Sequence, residues 1–399
     1  MKNLLFSLLL FSSLGASAQK FTFNAGNALT KAYYEELPYE DLNGKLFITV
    51  EVGNKPRRFL FDTGAVCMVS EGLADEMNLT NIHTDDVIDV NATHFKMNVV
   101  KLDIKYGNTL FAGIPALRGL QGEVFKCWAI DGIIGSNILR NSLVRFNSTK
   151  HTIIITNQKD KLQLNSTNSG KLNIHTDGQS TPIMTIPFGK NATMAMEFDS
   201  GDNKLLRLTD GLVNQITKSK VYRVVGLGFG ANNMGAMGLQ KNAPKRRLLI
   251  PFFNLGGEQF SNALTDTNDS GIPGIGTELL KYGTLTLDYI NQKYYFDPFA
   301  PAVKLDARGW PVALTIKNNQ LVVGAVWNDL KGQANPGEQV IAVDGKDYSQ
   351  IDLCDLVNKK PILDGKQTAV LTIKNIDGSI RKLTIDNKDY SAASTVASH

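Results

Sequence analysis

Two aspartates stand in matching surroundings. Asp62 ends the apolar run Phe59-Leu60-Phe61 and is followed by Thr63-Gly64; Asp199 ends Met196-Glu197-Phe198 and is followed by Ser200-Gly201. Two carboxylates brought face to face can do hydrolysis, because like charges about 3 Å apart cannot both ionise and so share one proton across the pair. Glycine beside each acid allows close backbone approach, and the adjacent hydroxyls of Thr63 and Ser200 can donate a hydrogen bond that fixes the turn. One such triplet would read as turn chemistry alone. Two in one chain raise the question of what else is repeated.

The elements that must position these acids repeat as well. Leu46 to Val52 alternates as a strand, a Gly-Asn-Lys-Pro turn follows, and Phe59-Leu60-Phe61 delivers Asp62. Pro182 to Phe188, the turn Gly189-Lys190-Asn191 and Met194 to Phe198 deliver Asp199 in the same way, 199 − 62 = 137 residues later. Downstream, Gly132-Ile133-Ile134-Gly135 is matched by Pro273-Gly274-Ile275-Gly276. Each is followed by a strand pair, Leu143–Phe146 with Thr152–Ile155 and Thr284–Leu287 with Lys293–Phe296. Order and spacing agree across all four elements, so the expectation is a domain-scale duplication giving two homologous β-rich lobes.

At these residues the chain resembles the aspartic peptidases of the pepsin and retropepsin type. Their lobes each carry a hydrophobic-hydrophobic-Asp-(Thr/Ser)-Gly motif and a later hydrophobic-hydrophobic-Gly turn, here Ile134-Gly135 and Ile275-Gly276. The resemblance runs from about Leu46 to Phe296. It implies an all-β fold, with two retropepsin-like β-barrel lobes forming a pepsin-like cleft. It also implies that Asp62 and Asp199 activate one water against a peptide carbonyl without metal or cofactor. Two positions depart from the pattern. Asp202 stands where the family commonly has a small or hydroxyl residue, and Gly274-Ile275 is less apolar than Ile133-Ile134. A third carboxylate could raise the pair's apparent pKa or spoil the site, and the alternative is a turn residue facing solvent.

The block 303–390 repeats neither lobe and resembles a PDZ domain, through Leu321 to Val326, Ala334-Asn335-Pro336-Gly337-Glu338 to Gly345, and a closing strand Ala369 to Lys374. A short helix is expected at Leu353 to Asn358. That resemblance implies a groove for a polypeptide, with a C-terminal carboxylate as the expected ligand; its carboxylate loop would fall near Gly309-Trp310-Pro311-Val312. The expected division is a signal peptide over 1–18, an N-terminal extension over 19–43, lobes over 44–156 and 172–300, and a polar linker over 157–171 acting as a hinge. Gly226-Leu227-Gly228-Phe229-Gly230 has no βαβ unit around it, which argues against a nucleotide loop; a mobile hairpin over the cleft is the expectation.

Composition bounds the rest. Lys2, the apolar run Leu4 to Phe11 and Gly15-Ala16-Ser17-Ala18 read as an export signal, so a periplasmic or secreted protein is expected. No later stretch approaches the roughly 18 apolar residues that span a bilayer. A formal net charge of +4 on 399 residues is too mild to argue for nucleic acid, and Lys245-Arg246-Arg247 reads as a solvated loop. With three cysteines, at most one disulfide forms: either Cys67 pairs with Cys127, or all three stay reduced or buried. The histidines show no metal-binding spacing, and no Gly-x-Ser-x-Gly elbow is present. Both lobes lie in one chain, so a monomer is expected. The reading is an aspartic endopeptidase acting on polypeptide, with a non-catalytic peptide-binding protein as the alternative.

Overall fold

A computed structural model describes residues 21–88, 94–120, 122–175, 178–232, 234–235, 238–268, 271–375 and 377–395. The expected export signal, 1–18, lies outside them. Strands make up 52% and helices 13% of the described residues, so the class is all-β as expected. No helix among the described residues is long and apolar enough to cross a membrane.

The two Asp-bearing hairpins form as the alternation predicts. Lys45–Val52 pairs antiparallel with Lys55–Phe61 around a turn in which Gly53 and Asn54 both have φ near +60°, the geometry that matches the twist of the flanking strands. Thr181–Phe188 pairs antiparallel with Ala192–Phe198. Each Asp-bearing strand then receives a parallel neighbour: Gly132–Ile134 beside Lys55–Phe61, with Phe61 opposite Ile134, and Gly274–Ile275 beside Ala192–Phe198, with Phe198 opposite Ile275.

One antiparallel sheet ties the two halves together. Its order is Tyr34–Leu42, Thr152–Thr156, Leu143–Asn147, Gly283–Asp288, Lys293–Pro298 and Ser169–His175. The stretch read as an N-terminal extension therefore supplies a strand. The polar stretch read as a hinge is fastened, because Leu162 is buried with Leu143 and Ile154, and Ser169–Lys171 pair with Lys293–Tyr295. Phe146, on the central strand, meets Phe61 on one side at 5.6 Å and Phe198 on the other at 5.2 Å, all three fully buried. The residues that precede the two aspartates are thus packed through one ring, which fixes the relative height of the two turns.

The C-terminal block has its own core, with Val312, Leu321, Val323, Val340, Leu371 and Ile385 among its buried members, and the helix Leu353–Asn358 forms where expected. It is attached to both halves. The glycine-rich stretch, expected as a mobile hairpin, is the strand Arg223–Gly230. It pairs with Ala243–Leu255 and also with the C-terminal strand Gln320–Trp327, Gly228 opposite Trp327 and Gly230 opposite Ala325. The glycines are there for contact: a Cβ at Gly230 would stand 2.2 Å from Gly324 O, and one at Gly228 3.2 Å from the Trp327 ring. Lys245 and Arg247 are buried in the neighbouring strand, against the expectation of a solvated loop. Arg247 stacks on Trp327 at 3.9 Å, pairs with Asp266 at 2.9 Å and donates to Trp310 O at 2.9 Å. The turn expected to bind a carboxylate thus spends its Trp310 carbonyl on the second half.

The other attachment is covalent. The disulfide joins Cys127 to Cys354, linking the helix Glu123–Trp128 to Leu353–Asn358, and the expected Cys67–Cys127 pair does not form. Cys67 is a fully buried thiol beneath the first Asp turn, where its sulfur accepts from Gly135 N at 3.3 Å and burial pushes its pKa up to about 12. Cys127 lies on a helix that faces the C-terminal block. The Cys67 sulfur therefore belongs to the core of the first half, and the Cys127 sulfur to the face that meets the C-terminal block.

Candidate active site

The two Asp-(Thr/Ser)-Gly turns meet where the halves join. Each Asp backbone N–H donates to its parallel neighbour, Asp62 to Ile134 O and Asp199 to Ile275 O, both at 2.9 Å. Each Oδ1 accepts from the glycine two residues on, Gly64 N to Asp62 and Gly201 N to Asp199, again both at 2.9 Å. Gly135 and Gly276 close the opposite side of each turn, Gly276 N donating to Lys204 O at 2.9 Å.

The hydroxyls do more than fix their own turns. Thr63 N donates to Ser200 Oγ and Ser200 N to Thr63 Oγ1, both at 3.0 Å, while Thr63 Oγ1 donates to Phe198 O at 2.6 Å and Ser200 Oγ to Phe61 O at 2.8 Å. This reciprocal set is fully buried and stitches one turn to the other. Thr63→Val keeps the shape but strands Ser200 N and Phe198 O. It is expected to cost about 1–3 kcal/mol, read as a lower denaturant midpoint; an unchanged midpoint would mean that the cross-bonds add nothing.

The stitching brings the acids together. A Cβ at Gly64 would stand 2.6 Å from Asp199 Oδ1, and one at Gly201 2.3 Å from Asp62 Oδ2, so each carboxylate lies over the other's glycine and only glycine fits. The two acids and both glycines remain partly exposed. Burial, and next the negative charge of Asp199, push the Asp62 pKa up to about 7, opposed by Lys45 and by the Gly64 N–H. Lys45 reaches across from the first half, donating to Gly201 O. On the other side Gln179 Nε2 donates to Gly64 O at 2.8 Å.

Sequence reasoning missed Arg207. Its side chain is 7% exposed, and its guanidinium donates to Asp199 Oδ2 and Asp202 Oδ2 from Nη1, both at 2.8 Å, to Glu197 Oε2 from Nη2 at 2.9 Å, and to Ile272 O from Nε at 2.9 Å. Asp202 accordingly faces Arg207 and not solvent. Burial raises its pKa, but Arg207, Lys204 and Lys45 outweigh that and hold the carboxyl below its usual range. Burial and then the Asp199 charge push Glu197 well above the carboxylate range, against Arg207. The available signal was an arginine inside the apolar run Leu205-Leu206-Arg207-Leu208, since a buried cation needs carboxylate partners.

Two cavities, of about 670 and 440 Å³, lie elsewhere: one is lined by Tyr39, His151, Glu278 and Lys360, the other by Gln240, Thr315 and Val323. The acids themselves sit on turns that reach solvent. No protein-family model matches this sequence, and neither does any curated protein.

Proposed function

We propose that the chain is an aspartic endopeptidase of the pepsin and retropepsin kind. The observation that carries this reading is the stitched pair of turns, which places each Asp carboxylate over the opposite glycine. A water held between the acids attacks the peptide carbonyl carbon; one acid takes a proton from the water and the other gives one to the carbonyl oxygen. As the C–N bond breaks, the acid that took the water proton passes it to the leaving nitrogen, and the other acid recovers its proton from a diol hydroxyl as the carbonyl re-forms. No cofactor enters these steps. In this reading the two halves are homologous lobes, the C-terminal block is a PDZ-like module that positions polypeptide by its C-terminus, and the signal in residues 1–18 directs export to the periplasm or beyond. Both acids lie in one chain, so a monomer suffices.

One observation favours a second reading, a peptide-binding protein without turnover: Arg207 engages Asp199 directly, and a dyad acid held in an ion pair resists the proton exchange that turnover requires. Hydrolysis of a mixed peptide library from pH 3 to 8, with and without a statine-type inhibitor, separates the two. Cleavage that the inhibitor abolishes is expected, with activity extending to near-neutral pH because Asp62 is held near 7. Binding without cleavage at every pH would establish the second reading.

A further inference from the structure

The two departures from the duplicated pattern, Asp202 and Gly274, belong to one device. By strand pairing and turn bonds, Leu60 corresponds to Glu197, Ala65 to Asp202, Met68 to Arg207 and Ile133 to Gly274. In the first half these four residues pack together in an apolar cluster with Phe47 and Ile130. In the second half the same place holds an ion cluster. Gly274 makes room for it, because a Cβ there would stand 2.9 Å from Arg207 Nη2. The glycine N–H bonds to Oδ1 are paired across the two halves, 2.9 Å in both, and so are the reciprocal hydroxyl bonds that join the turns. The Arg207 contact with Asp199 has no charged counterpart, because Met68 stands at the equivalent place in the first half.

The charged groups facing the pair are Lys45 from the first half and Glu197, Asp202, Lys204 and Arg207 from the second. Arg207 touches three of the carboxylates and not Asp62, while Lys45 spends its hydrogen bond on Gly201 O. An anion opposite a fixed guanidinium is favoured over its acid form, and an acid beside that anion is favoured protonated. We infer that Arg207 is a positioning residue that makes the two acids unequal, holding Asp199 as the anion that takes the proton from water and leaving Asp62 as the acid that donates one. The kinetic part of this assignment rests on the peptidase reading; the division of the proton does not.

The test is carbon NMR of the full chain labelled at the aspartate carboxyl carbons, titrated from pH 4 to 8, with Asp62→Asn and Asp199→Asn used to assign the two signals. The signal lost in Asp62→Asn is expected to move near pH 7, while the one lost in Asp199→Asn keeps a carboxylate shift across the range in which the first moves. Replacing the ion cluster by neutral isosteres (E197Q, D202N, R207Q) should make both signals move together, and should shift the acid limb of the pH–rate profile upward by about one unit, whereas Arg207→Lys keeps the wild-type limbs. Signals that already move in parallel in the wild type would overturn the inference, and this arm needs no variant at Arg207 to fold. A split titration in a protein that cleaves no peptide would leave the proton assignment standing and refute the peptidase.

Discussion

Asp62→Asn is expected to abolish peptide hydrolysis while making the protein more stable at alkaline pH. On the proposed peptidase reading, the loss follows from removing the acid assigned to donate the proton, a contribution of about 10²–10⁴-fold in kcat/KM. The gain follows from linkage. In the unfolded chain an aspartate titrates near 3.9, whereas burial and the charge of Asp199 hold Asp62 near 7 in the folded protein. A group whose pKa is raised on folding contributes stability that is fully present below the unfolded value. That stability falls as pH rises between the two values and is lost above the folded one. Asparagine cannot ionise, so the variant should match the wild type near pH 3.5 and exceed it at pH 8. The difference is on the order of 1–3 kcal/mol, reduced by the solvent that reaches the turn. Thermal midpoints of both proteins across that range check the sign; a gap that fails to widen with pH would mean that Asp62 is not held near 7.

The second large effect concerns the cross-link. Cys127 and Cys354 are 227 residues apart in sequence, and closing so long a loop removes much conformational freedom from the unfolded chain. Replacing both by alanine is expected to cost about 2–5 kcal/mol. The loss should be uneven. The C-terminal block would keep its pairing with Arg223–Gly230 and the Arg247 bracket, but the helix pair Glu123–Trp128 and Leu353–Asn358 would retain few tethers, such as Asn358 Nδ2 to Cys127 O at 3.2 Å and Asn43 Nδ2 to Val357 O at 3.0 Å. Calorimetry should therefore show an early transition absent from the oxidised wild type, and the wild type with reductant should show the same one. A single unshifted transition would mean that packing alone holds the block.

What could be read from sequence was local. Runs such as Phe59-Leu60-Phe61 that stop at Asp-(Thr/Ser)-Gly announce both the strand and its turn, and the doubled order announced that Ile134 and Ile275 stand at matching places, though not that each pairs with its Asp-bearing strand. Partnerships between residues distant in sequence were not legible. That Thr63 and Ser200 bond to each other's turns requires the two halves to be docked. Lys245-Arg246-Arg247 looks solvated until the strand places Lys245 and Arg247 on one inward face. The disulfide depends on two short helices, one in each of two blocks that share no sequence signal.

The shared strand Arg223–Gly230 changes what it means to call the C-terminal block an appendage. A chain ending before Val303 would bare the backbone of Gly228–Gly230, an open β edge of the sort that recruits a second chain. It would also strip Arg247 of the Trp327, Trp310 and Tyr390 groups that cover its cation, and leave the Cys127 thiol single. Modularity was surrendered when the glycine strand was laid against Trp327. A chain without the block would need a different flank on its second half, so the half that carries Asp199 and the C-terminal block depend on each other structurally.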